Sequence, residues 1–151
     1  MREQMTHILK NYGMIIAFVL LCIVLTILTP FFLTPSNLMN VVRQSSIIGI
    51  MAMGVTFVIL SGGIDLSVGS VMAVSGMIAA GTMQNGGSMA VAILVALAVG
   101  IAAGLVNGLL VTKAGITPFV VTLGMMSIAR GVTLIYSQGY PISGFSPAFR
   151  Y

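Results

Sequence analysis

Met89-Ala-Val-Ala-Ile-Leu-Val-Ala-Leu-Ala-Val-Gly-Ile-Ala-Ala-Gly-Leu-Val-Asn-Gly-Leu-Leu-Val111 carries no charge, and its one strongly polar side chain is Asn107. A helix needs roughly 20 such residues to cross about 30 Å of hydrocarbon, so this stretch reads as a membrane span. Ala92, Ala96, Gly100, Gly104 and Gly108 recur in it every four residues. Small residues at that spacing let a second helix backbone approach closely, so the row is read as a helix-packing face. Asn107 lies beside the row, either as an interhelical hydrogen-bonding residue or as part of a polar path.

The rest of the chain agrees. Of 151 residues, 58% are hydrophobic and 5% charged, against about 25% charged in a soluble domain. So few charges cannot cover a surface facing water, but they suit one facing lipid. The expected fold is all-α, a polytopic transmembrane bundle of about five spans. Span one runs from about Gly13 to Leu33, span two from Asn40 to Leu60, span three from Asp65 to Met83, span four from Met89 to Val111 and span five from Pro118 to Tyr136. Thr34-Pro35-Ser36-Asn37 makes the first turn, with Ser36 or Asn37 placed to cap the next helix. Ser61-Gly62-Gly63 breaks spans two and three apart, and Gln84 to Ser88 makes a polar turn. From Ser137 to Tyr151 the chain is polar, with Gly139, Pro141, Gly144 and Pro147.

Lysines and arginines set the orientation. With Arg2 and Lys10 in the cytoplasm, the Lys113 loop is also cytoplasmic, and the uncharged loops at residues 34–37 and 84–88 lie outside, as the positive-inside rule asks. Arg43 and Arg150 fall on the wrong side of this arrangement, and the tail after Ser137 is external. The apolar run from Met14 continues through Pro30 to Leu33 with no small-residue cleavage site behind it, so it is a retained span rather than a signal peptide.

Other function classes are excluded. The net charge of +4 comes from scattered residues, and a nucleic-acid surface needs clustered ones. Cys22 has no partner for a disulfide or a CxxC site, and His7 near Arg2 and Lys10 is a solvated residue. The twelve methionines are gap fillers between helices and form no metal cluster. Paired carboxylates for acid–base work are absent, as is a GxxxxGK[ST] phosphate loop. No catalytic or metal site is expected.

The most informative stretch is Ser61-Gly62-Gly63-Ile64-Asp65-Leu66-Ser67-Val68-Gly69-Ser70, which holds the only acidic residue beyond Glu3. An aspartate at membrane depth is expensive and usually has a reason to be there. One reason is local: the carboxylate accepts from the backbone N–H of Ser67 or Val68 and caps the next helix. The other is functional: Gly62, Gly63 and Gly69 break the helix and Asp65 and Ser67 face a solute path. Arg130, followed by Gly131 in span five, is either an interface anchor whose stem snorkels outward or a charge facing the same path. Its place along the span argues against a pair with Asp65.

Four stretches together resemble the permease of ribose-type ABC sugar importers. They are Gly54–Ser70, with Asp65 where the family has its aspartate; Asn107–Lys113 continuing to Pro118-Phe119 and Thr122-Leu123; Arg130–Tyr136 with Gly139 and Pro141-Ile142; and Leu28–Leu33 with Asn37-Leu38. The resemblance runs from about residue 28 to 145 in the family's order. It implies a permease subunit in the bacterial plasma (inner) membrane that performs no chemistry and binds no cofactor. Its implied partners are a second permease copy, a cytoplasmic ABC ATPase that uses ATP, an extracytoplasmic sugar-binding protein and membrane lipid. The family's second half, including the loop that engages the ATPase, has no counterpart here. Residues 1–151 are therefore expected to be the N-terminal part of the membrane domain, a fragment lacking the C-terminal half. Two rivals are a truncated or stand-alone small membrane protein with a scaffolding or regulatory role, and an intramembrane enzyme with Asp65 as its acid, which lacks a second catalytic group.

Overall fold

A computed structural model describes the backbone of residues 2–143 and the side chains of residues 10 and 12–143. The described chain is helical, with α1 Arg2–Leu28, α2 Pro35–Leu60, α3 Val68–Gln84, α4 Met89–Thr112 and α5 Pro118–Ser137. The expected membrane helix bundle is borne out. By length and composition α2, α4 and α5 are long and apolar enough to cross a membrane, while the apolar part of α1 (Tyr12–Leu28) and α3 are shorter. Arg150, Gly144, Pro147 and the tail from Phe145, together with the side chains of Arg2 and His7, lie outside the described residues. The chain divides into two compact units, Met1–Ile50 and Met51–Tyr151.

In the first unit, α1 stops at Leu28 and not at Leu33 as the apolar run implies. Pro30 has no N–H to donate and pushes Thr29 away from helical backbone, so Phe31 to Thr34 close turns instead. α2 correspondingly starts at Pro35, earlier than Asn40, with proline in the first-turn position that tolerates it. Thr34 holds this helix start: its Oγ1 accepts from Asn37 N at 3.3 Å. Ser36 and Asn37 are thus already helical, and the Asn37 amide instead donates to Phe32 O at 2.7 Å. The hydroxyls of Thr26 and Ser46 donate to the carbonyls of Cys22 and Val42, which hides them from a solvent that offers no partners.

The second unit packs α3, α4 and α5 together. Thr122, early in α5, meets Ile64 just before α3, and Tyr136 at the end of α5 lies against Gly81 near the end of α3. α3 and α5 therefore run parallel. Asn107, near the end of α4, reaches Ser67 at the start of α3, so α4 runs opposite to both. The core is small: Val74, Ala92, Val121 and Ala129 are its buried apolar residues, joined by Ser67, Asn107 and Thr122. Leu94, Leu97, Ile101 and Leu105 of α4 face outward. Small and polar inside with large and apolar outside is the reverse of a soluble domain and fits a bundle solvated by lipid.

Among the described residues, only the first half of the four-residue row on α4 packs against another helix. Each step of four turns about 40° past a full circle, so the row winds around the helix. Ala92 and Ala96 are covered to differing degrees, and a Cβ on Gly100 meets Ser75 Oγ at 3.9 Å. Gly104 and Gly108 are exposed, and a Cβ there meets nothing within 4 Å. The covered line instead passes through Ala103 to Asn107.

Three helices end in the same way. Gly62 N donates to Ile59 O and Gly63 N to Val58 O after α2, and Gly86 and Gly87 do the same to Met83 and Thr82 after α3. These are Schellman closures, with glycine at the left-handed position: Gly62 has φ 79° and Gly86 φ 84°. After α5 the matching bonds come from Gln138 and Gly139, and the left-handed residues are Gln138 at φ 52° and Gly139 at φ 78°. A side chain in that conformation costs about 1 kcal/mol.

At Gly81 the ring of Tyr136 sits where a side chain would be, with Cε1 2.7 Å from the Cβ position. Gly81→Ala is expected to destabilise the α3–α5 contact by about 1–3 kcal/mol. With the ring removed by Tyr136→Ala, Gly81→Ala should add little further loss. Thermal unfolding of the two single variants and the double variant measures this coupling.

Candidate functional site

The buried polar residues of the second unit converge on the irregular segment before α3. α3 begins at Val68, later than the Asp65 expected from the apolar pattern. Its 17 residues rise about 25 Å, short of the hydrocarbon thickness. Non-helical backbone such as Gly63–Ser67 is tolerated at membrane depth only where protein covers it or a polar cavity receives it.

Asp65 organises the segment. Its Oδ1 accepts from Ser67 N at 2.7 Å and from Ser67 Oγ at 2.6 Å. The backbone bond is the one expected of a cap, made here as an Asx turn two residues on. Ser67 itself occupies the N-cap position and makes no capping bond with its side chain, its backbone being helical (φ −84°, ψ −16°) where a capping residue is typically extended. Ser67 is 1% exposed. With its only proton donated, its oxygen can still accept, and Asn107 Nδ2 donates to it at 3.0 Å. That sequence of donors fixes the Asn107 amide orientation and leaves its Oδ1 buried without a partner.

Thr122 ties the same segment to α5. Its hydroxyl lies 2.9 Å from Pro118 O and 3.2 Å from Ile64 O. Valine fits the same space but leaves the Ile64 carbonyl without this donor. Thr122→Val is expected to cost about 1 kcal/mol, read as a small drop in the unfolding midpoint with the helix content unchanged.

A cleft of about 360 Å³ opens beside this joint, with Gly62, Gly63, Asp65, Asn107, Gly104 and Gly108 among its walls. The volume falls in the range of small-molecule sites. Glycines 104 and 108, on which no described helix packs, keep the α4 wall low. Gly63 is closer set, with a Cβ position 3.1 Å from Val58 Cγ1. The site has a carboxylate, a hydroxyl and an amide, the groups that exchange hydrogen bonds with a neutral polar solute. Among the described residues no cluster of His, Cys, Asp and Glu could hold a metal.

The structure thus brings Asp65, Ser67 and Asn107 together and places Gly62 and Gly63 at the adjoining break. Gly69 is exposed on the first turn of α3, with open space at its Cβ position. Arg130 is exposed on α5, eight residues beyond Thr122 and about 12 Å along the axis, apart from the joint. Thr122 joins the site without having been singled out by residue type. Its signal is faint, a hydroxyl four residues after Pro118 in an otherwise apolar turn.

Apolar side chains turned to the outside and a polar joint buried among small residues define an integral membrane protein. A family model described as branched-chain amino acid transport system / permease component matches residues 37–146. The chain belongs to this permease family, whose members are transport subunits of the bacterial plasma (inner) membrane. It is 45% identical to the ribose import permease protein of Bacillus subtilis over 95% of this chain and 44% of that one. It is 39% identical to the D-allose transport system permease protein of Escherichia coli over 90% of this chain and 42% of that one. It is 44% identical to the fructose import permease protein of Bifidobacterium longum over 83% of this chain and 38% of that one. The resemblance to ribose-type permeases is borne out. The chain spans less than half the length of these curated relatives, and no solved structure matches it.

Proposed function

We propose that this chain forms membrane-spanning structure of an ATP-driven monosaccharide importer, with ribose or a similar sugar as cargo. The Asp65–Ser67–Asn107 joint and its cleft would form part of the solute route. The observation that carries this reading is the joint itself: buried hydrogen-bonding groups from two helices meeting at a break in the helical backbone, beside a cleft of sugar size. The names of the curated relatives support monosaccharides as the cargo class. On this reading a second permease copy, a cytoplasmic ABC ATPase and an extracytoplasmic sugar-binding protein complete the transporter, and lipid covers the outward apolar faces. ATP is consumed by the ATPase and the chain itself binds no cofactor. The charge asymmetry of Lys10 and Lys113 supports a cytoplasmic N-terminus and puts the joint at the cytoplasmic end.

The experiment is uptake. The complete gene product is expressed with its ATPase and binding protein in cells that lack their own ribose permease. ATP-dependent accumulation of labelled ribose, or of allose or fructose in its place, supports the reading. No accumulation of any monosaccharide by a correctly inserted protein sinks it. Arg130→Ala should lower uptake less than Asp65→Ala, because Arg130 stands apart from the joint.

A further inference from the structure

A second cleft, of about 440 Å³, lies at the opposite end of the second unit, between the last turns of α3 and α5. Its walls include Gln84, Asn85, Tyr136, Gln138 and Tyr140. We propose that this cleft is a monosaccharide-binding subsite at the outer mouth of the permease, a proposal that rests on the sugar-import reading above.

Three features point to a polyhydroxylated ligand. The first is composition: three carboxamides and two phenols are gathered in a chain otherwise dominated by aliphatic side chains. Carboxamides both donate and accept, as paired sugar hydroxyls require, and tyrosine offers an apolar face with a polar edge, which suits the C–H face of a sugar ring. Tyr140 is 75% exposed and Tyr136 45%, so both rings are accessible. The second feature is orientation. Asn85 Nδ2 donates to Gly81 O at 2.9 Å, which holds the amide with its carbonyl oxygen as the remaining acceptor. Gly81, by having no side chain, lets the Tyr136 ring seat against α3.

The third feature is backbone strain. Gln138 occupies the left-handed closing position that glycine fills after α2 and α3. An amide-bearing residue placed where glycine is the relaxed choice points to use of the side chain. Among the described residues no charge lies at Gln84–Ser88 or Ser137–Ser143, as suits a neutral solute. By the same charge asymmetry that sets the joint inside, this end faces out.

Gln138→Gly is the incisive variant, since glycine relaxes the backbone and removes only the side chain. Its unfolding midpoint should not fall, while the ribose concentration giving half-maximal uptake should rise about fivefold, the size of one hydrogen bond. These 151 residues contain no tryptophan, so Tyr140→Trp, in purified permease with any tryptophan outside them replaced by phenylalanine, supplies a single fluorescent reporter. Titration with ribose should change its emission along a saturating curve, with sodium chloride and glycine betaine as inert controls. Unchanged uptake by Gln138→Gly beside active wild type overturns the proposal. So does an impaired Gln138→Gly with no ribose response from Tyr140→Trp, which would make the cleft a docking face for the binding protein. Absence of uptake by wild type is the separate failure of the sugar-import reading; a saturable ribose response then still supports the subsite.

Discussion

Asp65→Ala is expected to abolish most sugar uptake while leaving the protein inserted. The alanine removes the acceptor for both Ser67 N and Ser67 Oγ. Hydrogen bonds to a charged group are worth about 1.5–3 kcal/mol when buried. Asp65 is only half-buried, so solvent screening brings the pair down to about 2 kcal/mol together. Without them, the Gly63–Ser67 segment loses its turn and the Ser67 hydroxyl loses its direction. A joint loosened by that amount should reduce uptake about tenfold or more. Asp65→Asn keeps an oxygen in the same place and should retain more activity than alanine. Initial rates of labelled ribose uptake, normalised to the amount of permease in the membrane, check both. Equal rates for alanine and wild type would remove Asp65 from the mechanism.

Asn107→Leu should separate function from stability. Asn107 makes one hydrogen bond, to Ser67 Oγ, and leaves its own Oδ1 buried and unpaired. Losing the bond costs about 1 kcal/mol, while removing an unsatisfied buried oxygen recovers about 1–3 kcal/mol. Leucine has the same branched skeleton, and crowding by its bulkier methyl groups takes back part of that gain. The unfolding midpoint in detergent should therefore stay level or rise, even as uptake falls about tenfold or more. A residue retained only for packing would show the opposite pattern, a less stable protein that transports normally. The unpaired oxygen is the reason to expect the split, since a buried polar group left incomplete is a common mark of function.

Much of this was legible in the sequence because its causes are local. Five apolar stretches separated by glycine and amide turns gave five helices. The Asp65–Ser67 contact follows from a two-residue spacing that aspartate commonly uses. What was not legible depends on distance or on phase. The Asn107–Ser67 bond joins residues 40 apart, and no local pattern marks it. The row at Ala92, Ala96, Gly100, Gly104 and Gly108 looks like one face at a spacing of four, yet the helix turns 3.6 residues per cycle. The row's end therefore leaves the interface and lines the cleft. Hydropathy alone carries span one through Pro30 to Leu33, whereas the missing N–H of proline ends the helix at Leu28. Thr34 caps α2 one residue ahead of Pro35, and the nearby Ser36 and Asn37 look equally suited by type.

The central claim is that the cleft beside Asp65 belongs to an aqueous solute route and is not a notch facing lipid. Gly108 lines it, and a side chain there meets nothing within 4 Å, so Gly108→Cys is sterically tolerated. Cys22 is the only cysteine among these 151 residues, so the test uses a transporter in which Cys22 and every cysteine outside these residues is replaced by serine, which makes the new thiol the only one. A charged, membrane-impermeant thiol reagent applied to inside-out vesicles of the complete transporter should label this cysteine, and saturating ribose should slow the labelling. Failure to label from either side of the membrane, with the thiol still reactive in detergent, would place the cleft against lipid and contradict the account.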